Sequence, residues 1–361
     1  MVRTLVIAAG GGGDAITAAM VGRKLGEIEV AAIMSYSWDR LMLDPAPGPR
    51  NVADFVGIVE LASGVYEISA ESGLRSGGRP TLPALAGLLP YRFLLLDPLA
   101  GAVGLSVQIS SAARLFRADE VLLVDVGGDI IAVGTEASLR TPLADSLVLA
   151  AAVRSGLPLR LLVAGVGLDG ELTEGELAAR LADLGATPRF TFAAKDFDSV
   201  RPLFEWHPSE ANGLLAAAAD GVRGKVETRQ GHTTVTLTDA APIVHEVDSA
   251  AVCANSLAAH LAETATLEAV EEVIRSYRGS SEIDFERGRL AEVAARPAPG
   301  DALPVIDRYS DRARGARIDY LTLRRVAEIA EAMDPISGQR LRTLLAEARP
   351  AQYRPPLYRT G

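Results

Sequence analysis

The chain has 361 residues, a formal net charge of -10, 48% hydrophobic residues and 5% aromatic ones. This is the composition of a globular protein long enough to bury a large core in one domain or two. The acidic balance argues against an extended nucleic-acid footprint, which needs a basic face, and Cys253 as the only cysteine excludes an intrachain disulfide and Cys₄ or Cys₂His₂ zinc sites.

No export signal is visible, because the apolar run after Arg3 lasts only about six residues before the glycines. No stretch reaches the roughly 20 apolar residues that span a bilayer. A soluble cytoplasmic protein with no membrane and no nucleic-acid partner is expected. Charge is uneven: residues 296–361 hold 12 Arg and 8 Asp/Glu. Such a basic arm on an acidic body is suited to docking on its own or a neighbouring subunit, and a homo-oligomer is expected.

Residues 4–9 read as a strand, residues 10–14 as a Gly-Gly-Gly-Gly-Asp loop, and residues 15–25 as a helix with Ile16, Met20 and Leu25 on one stripe. A second strand over 30–34 leads to Ser37-Trp38-Asp39-Arg40. Pro45, Pro47 and Pro49 make the next stretch an irregular loop. Residues 73–83, rich in Gly and Pro, read as a mobile excursion. Strands over 93–96, 121–124 and 159–164 alternate with helices over 107–116 and 142–155, and further helices cover 174–184 and 210–219. Such alternation implies βαβ crossovers and a parallel sheet. Residues 225–229 and 233–238 flank a Gly231-His232 turn and read as a β-hairpin, with 242–247 as a third strand. After residue 248 the pattern is mostly helical. Residues 294–304 are a Pro-rich linker candidate before helices over 320–333 and 338–348.

The acids fall where these strands end. Asp14 follows the first, Asp39 the second, Asp97 the third, Asp125 and Asp129 the fourth, and Asp169 the fifth. In an open α/β sheet, ligands bind in the crevice outside the carboxyl ends of the strands. Parallel strands would therefore bring these acids to one crevice. Gly10, Gly12 and Ala15 fit G-x-G-x-x-A in a strand–loop–helix context, which suits phosphate or dinucleotide binding. Asp14 at the helix start would repel a pyrophosphate, and the second strand has no acid immediately at its end to hold a ribose, Asp39 coming a few residues late. Asp14 reads equally as an N-cap. Four glycines in a row cost backbone entropy and favour close approach of a ligand or another backbone.

Residues 125–145 are the richest in chemistry, with Asp125, Asp129, Glu136 and Asp145. Carboxylates within about 5 Å cannot all stay ionised without a counter-ion. A Mg²⁺-type cation could bind them, one acid could stay protonated as a general acid, or Arg side chains and sugar hydroxyls could satisfy them. The alternative is that they are spread out and never meet. Trp38 offers a stacking face, and Arg40 a counter-charge. His207 is an acid/base candidate, and Ser209 a cap for the helix in which Glu210 follows. The run 281–287 alternates acids with apolar residues; it reads as a structural helix entry, the alternative being that it sends acids toward the site. There is no G-x-S-x-G, no H-E-x-x-H, no Walker A lysine and no cysteine nucleophile arrangement.

Together these residues resemble the domain-of-unknown-function 1152 family of bacteria and archaea. The resemblance rests on the N-terminal glycine loop with Asp14, Trp38-Asp39-Arg40 with Asp44-Pro45, residues 124–129, Thr141 to Asp145, Asp169-Gly170-Glu171, His207 to Glu210 and residues 282–287. It spans roughly residues 1–290. It implies an α/β fold and transfers no settled activity.

The expected fold is α/β and Rossmann-like: a mostly parallel sheet with helices on both faces, a small β-hairpin unit and a helical C-terminal segment. Residues 1–247 would form a ligand-binding domain, with 248–361 packed on it. The expected function is an enzyme acting on a nucleotide, nucleoside or sugar phosphate by hydrolysis or group transfer. Asp125, Asp129, Glu136 and His207 are the catalytic candidates. Gly11, Gly12, Gly13, Asp14, Trp38, Asp39, Arg40, Asp145, Asp169 and Glu210 are the binding candidates. Asp14 and Asp129 are the candidate ligands of Mg²⁺. The alternatives are a nicotinamide- or flavin-dependent oxidoreductase, which predicts a bound NAD or flavin, and a non-catalytic ligand-binding or assembly protein.

Overall fold

The computed structural model describes residues 1–229, 233–294 and 301–361. Its largest element is a nine-stranded sheet. Across it the strands run Thr187–Thr191, Ile243–Val247, Leu159–Ala164, Glu120–Val126, Val2–Ala8, Ile28–Ser35, Phe93–Leu95, Val65–Ile68 and Val59–Ala62. The five strands from Leu159–Ala164 to Phe93–Leu95 pair in parallel. The four outer pairings are antiparallel. The α/β class holds, but the sheet is mixed rather than mostly parallel. On one edge Val59–Ala62 and Val65–Ile68 are joined by a two-residue turn as a hairpin, which necessarily returns antiparallel.

Taken in chain order, the parallel strands lie fifth, fourth, first, second, third across the sheet. The winding therefore reverses between Val2–Ala8 and Glu120–Val126, and a crevice opens there at their carboxyl ends. Residues 5–8 are fully buried on both faces, with Val6 and Ala8 in one core and Leu5 and Ile7 in the other. That near-continuous apolar run is the mark of a strand covered on both sides. The helices Asp14–Lys24, Thr81–Leu88 and Glu210–Ala219 bury residues in the first core. Gly101–Phe116, Pro142–Arg154 and Leu267–Arg278 bury residues in the second. By length and composition the stretch Pro98–Phe116 could cross a membrane. Its Ala102, Leu105, Ile109 and Ala112 are buried in the second core.

The expected hairpin forms from Gly224–Glu227 and Thr234–Leu237, and its Gly231-His232 turn lies outside the described residues. Gly224–Glu227 also pairs with Tyr320–Thr322, which pairs with Leu357–Arg359, giving a second, five-stranded sheet. Tyr320 thus begins a strand, and the helix follows only at Leu323–Ile329. Thr322 caps that helix by accepting from Arg325 N at 3.0 Å. A third core, with Ile306, Leu321, Leu341, Leu345 and Tyr358, holds the C-terminal part together and takes in Met42. Of the Pro-rich stretch 294–304, residues 295–300 lie outside the described residues. The 73–83 stretch is held rather than free: Gly73–Leu74 pairs with Phe55–Val56, and Thr81 opens a helix.

Candidate functional site

Gly13 occupies the N-cap position of Asp14–Lys24 and offers no side-chain cap. Asp14 is inside the helix and does not cap it. Its carboxylate folds back to accept from Gly10 N at 3.1 Å and from Asn212 Nδ2 at 3.2 Å. The glycines are required by space. A Cβ on Gly11 would lie 2.7 Å from the Trp38 carbonyl oxygen, one on Gly12 2.6 Å from Asp39 Oδ1, and one on Gly13 2.7 Å from Ser209 Oγ. The loop is therefore wedged between the Trp38–Arg40 and His207–Ser209 segments.

These segments, with those following Glu120–Val126 and Leu159–Ala164, enclose a cavity of about 90 Å³. Asp14, Asp129, Asp145, Asp169, Glu171, Glu210 and Glu282 line it. Asp125 lies just beneath, fully buried, and one carboxylate oxygen from each of Asp14, Asp125 and Asp145 falls within 4.8 Å of the others. Asp125 Oδ2 accepts from Gly128 N at 2.9 Å, and Gly127 and Gly128 reach this tight turn with φ of 131° and 100°. Buried oxygens of Asp125, Asp145 and Asp169 meet no donor among the described residues.

Burial pushes the Asp14 carboxyl up to about 7 against the pull of Asn212 and Gly10. Burial and the charge of Glu171 push Asp169 up to about 7. Burial, followed by neighbouring carboxylates, raises Asp125, Asp129 and Asp145 well above the ordinary range. Burial pushes Glu282 up to about 8, although it accepts from Leu143 N. Glu171 is the exception. Burial opposes its charge, but Arg229 and hydrogen bonds from Thr141 Oγ1, Arg140 N and Thr141 N hold it below its usual value. Carboxylates crowded this way need protons or a cation in their midst.

Three guanidinium groups stand against the acids: Arg40, Arg229 and Arg324 line the same cavity. Arg229 pairs with Glu171. Arg324 approaches Glu210 at 3.8 Å. Glu210 also accepts from Thr322 Oγ1 at 2.6 Å and Arg229 N at 2.8 Å, tying the second sheet to the site. His207 has both ring nitrogens engaged. Nδ1 accepts from Ser209 N at 3.1 Å, which assigns the proton to Nε2, 2.7 Å from Thr81 Oγ1. The Thr81 hydroxyl donates to Asp39, which also accepts from Thr81 N. The buried chain Asp39–Thr81–His207 thus locks two of the segments that close the cavity.

Among the residues singled out from sequence, Gly11, Gly13, Asp14, Trp38, Asp39, Arg40, Asp129, Asp145, Asp169, His207 and Glu210 line the cavity. Asp125 sits under it. Gly12 faces Asp39 rather than the cavity. Glu136 is elsewhere, accepting from Val133 N at 2.7 Å and Gly134 N at 2.8 Å to close its own loop. Asp97 likewise accepts from Leu99 N and Val52 N, because its strand lies away from the switch. Trp38 is buried, with its Nε1 donating to Glu286 at 2.9 Å. Ser209 stands at its helix's N-cap position without capping and accepts from Asn212 Nδ2 at 2.9 Å. The grouping of Asp14 is with Asp125 and Asp145, whereas Asp129 Oδ2 lies 3.0 Å from the Thr141 hydroxyl oxygen. Glu171, Arg229 and Arg324 join the site without having been singled out, and Glu282 brings to it an acid of the run 281–287, read first as a structural helix entry. The motifs Asp169-Gly170-Glu171 and Glu282 to Arg287 held the signal for the two glutamates.

Fold and site together define an α/β protein with a carboxylate-lined pocket at the switch point of a mixed sheet. The chain belongs to the family described as "Protein of unknown function (DUF1152)", which matches residues 5–290. No curated protein matches the chain, and no solved structure does.

Proposed function

We propose that this chain is a soluble enzyme that acts on a small hydroxylated or phosphorylated substrate, a nucleotide, nucleoside or sugar phosphate, by hydrolysis or group transfer. The observation that carries the reading is the meeting of Asp14, Asp125 and Asp145 from three separate chain segments, with oxygens of Asp125 and Asp145 left without a donor. Buried polar groups are otherwise paired, so these atoms await a proton, a cation or a hydroxyl.

Their all-oxygen donor set fits a hard divalent cation of the Mg²⁺ type. Asp14, Asp125 and Asp145 would hold it, and when bound it would polarise an oxygen of the substrate as a Lewis acid. Asp129 and Asp169 would accept substrate hydroxyls, and Asp169, raised to about 7, would hold a proton near neutral pH. Arg40 supplies positive charge on the facing wall. His207, with both nitrogens engaged, serves as a positioning residue.

A nicotinamide or flavin reading is less well supported. The Asp14 carboxylate already takes the Gly10 amide, where a pyrophosphate would need free N–H groups. A thermal-shift screen of nucleotides, nucleosides and sugar phosphates, with and without Mg²⁺, tests the reading. A binder at a hundredfold excess over its Kd stabilises by about 2.7 kcal/mol. A hit that disappears in Asp14→Asn and Asp129→Asn supports it, and a hit indifferent to both counts against it.

A further inference from the structure

The inner cavity does not end at its arginines. A second cavity of about 370 Å³ adjoins it, and the two share Arg40, Thr141, Arg229, Glu282 and Arg324 as walls. The inner space is too small for a nucleoside or a sugar ring. The outer one falls in the range of small-molecule pockets, and its walls include apolar groups from Leu41, Leu139, Phe285 and Met333.

The guanidinium groups at the junction are unequally used. Arg229 is paired with Glu171. Arg40 has no hydrogen bond or ion pair from its side chain among the described residues. Arg324 keeps only 13% of its side chain exposed and approaches Glu210 at 3.8 Å. Its Nε is buried with no hydrogen-bond partner among the described residues. Burial, together with the positive charges of Arg40 and Arg229, lowers Arg324 to about 10 against the support of Glu210. Cations held close to one another with donors unspent are the arrangement that receives an oxyanion.

We propose that the junction of the two cavities binds the phosphate of a phosphate monoester, gripped by Arg40 and Arg324. Its phosphate points inward at the carboxylates, and its organic part lies in the outer cavity. This deepens the reading above, and rests on it for the inward cation. The aspartates repel an unaccompanied phosphate, so the arginines and a bound cation together supply the compensating charge. Arg324 belongs to the helix Leu323–Ile329 and lies beyond the residues matched by the family. The C-terminal part of the chain therefore contributes directly to what the pocket accepts.

The test uses the full chain, with inorganic phosphate as the probe and Mg²⁺ varied separately. Titration calorimetry of phosphate into wild type, with and without saturating Mg²⁺, is compared with Arg40→Ala, Arg324→Ala and Arg324→Lys. Binding in wild type is expected to weaken at least about tenfold in each alanine variant, the equivalent of one lost charge-assisted contact. Their response to Mg²⁺ alone should remain, which also shows that they are folded. Arg324→Lys should recover part of the loss. Absence of phosphate binding in wild type, or binding that survives both alanine changes, would overturn the proposal. If Mg²⁺ fails to bind while phosphate binds through Arg40 and Arg324, the anion site stands and the cation reading falls. If Mg²⁺ binds and phosphate does not, the outcome is the reverse.

Discussion

One carboxylate oxygen of Asp125 and one of Asp145 lie within 4.8 Å of each other, and each residue has a buried oxygen that no donor among the described residues reaches. Asp125 comes from the end of the strand Glu120–Val126, and Asp145 from the first turn of the helix Pro142–Arg154. The fold thus sets two like charges together at the core end of a pocket, a placement that works against stability unless something else shares the space.

Asp145→Asn separates the two roles of this pair. Removing one charge relieves repulsion, so the metal-free variant is expected to gain stability, by about 1 kcal/mol. The same change removes a cation ligand, so any Mg²⁺-induced rise in Tm should disappear. Calorimetric melting in EDTA and in Mg²⁺ reads both signs. A variant less stable than wild type in EDTA contradicts the repulsion.

The raised carboxyls set the pH dependence. Asp14 and Asp169, at about 7, and Glu282, at about 8, hold protons more tightly folded than unfolded. Their contribution to stability is therefore complete below the ordinary carboxylate range, about pH 4, and is lost as pH rises through 7 to 8. Metal-free protein should show a falling Tm over that window. Mg²⁺ should flatten the fall, because it takes the place of the protons. A Tm that climbs between about pH 6 and 8 in EDTA is the contrary result.

Gly12→Ala places a methyl group 2.6 Å from Asp39 Oδ1. The loop has no room to yield without moving the Asp39–Thr81–His207 chain, so a loss of about 1–3 kcal/mol is expected. Gly26→Ala, where a Cβ meets nothing within 4 Å, should stay within about 0.5 kcal/mol of wild type. Denaturant unfolding of the two variants decides it; equal effects would mean that space is not what the glycine run supplies.

Thr81→Val removes the hydroxyl shared by Asp39 and His207. Both partners stay buried, so a cost of about 1–3 kcal/mol follows from the unpaired groups. Glu136→Gln is the matching control for the site. Its carboxylate serves only its own loop, and Mg²⁺ binding should be unchanged. A Glu136→Gln variant that loses Mg²⁺ would place this residue back among the site groups.

The acids at strand ends were legible because a parallel strand puts its carboxyl end at a predictable rim, and Asp14, Asp125, Asp129 and Asp169 follow that rule. Asp97 obeys the same local pattern yet misses the pocket, since lateral position in the sheet is a matter of winding and leaves no local trace. Glu136 failed for a related reason: spacing alone does not tell a loop-closing carboxylate from one that faces a ligand. Arg229 and Arg324 were not legible. They reach the site through the pairing of Gly224–Glu227 with Tyr320–Thr322, a contact between segments about 95 residues apart whose register no periodicity announces. The antiparallel edges escaped notice because short apolar runs read alike in either direction.

The most direct measurement is titration calorimetry of Mg²⁺ into metal-free wild type and into Asp145→Asn at a pH above 8, past the values of about 7 for Asp14 and about 8 for Glu282. Binding of a cation by wild type and its loss in the variant is the expected result. No binding by wild type, or equal binding by both proteins, would contradict a cation held by Asp14, Asp125 and Asp145.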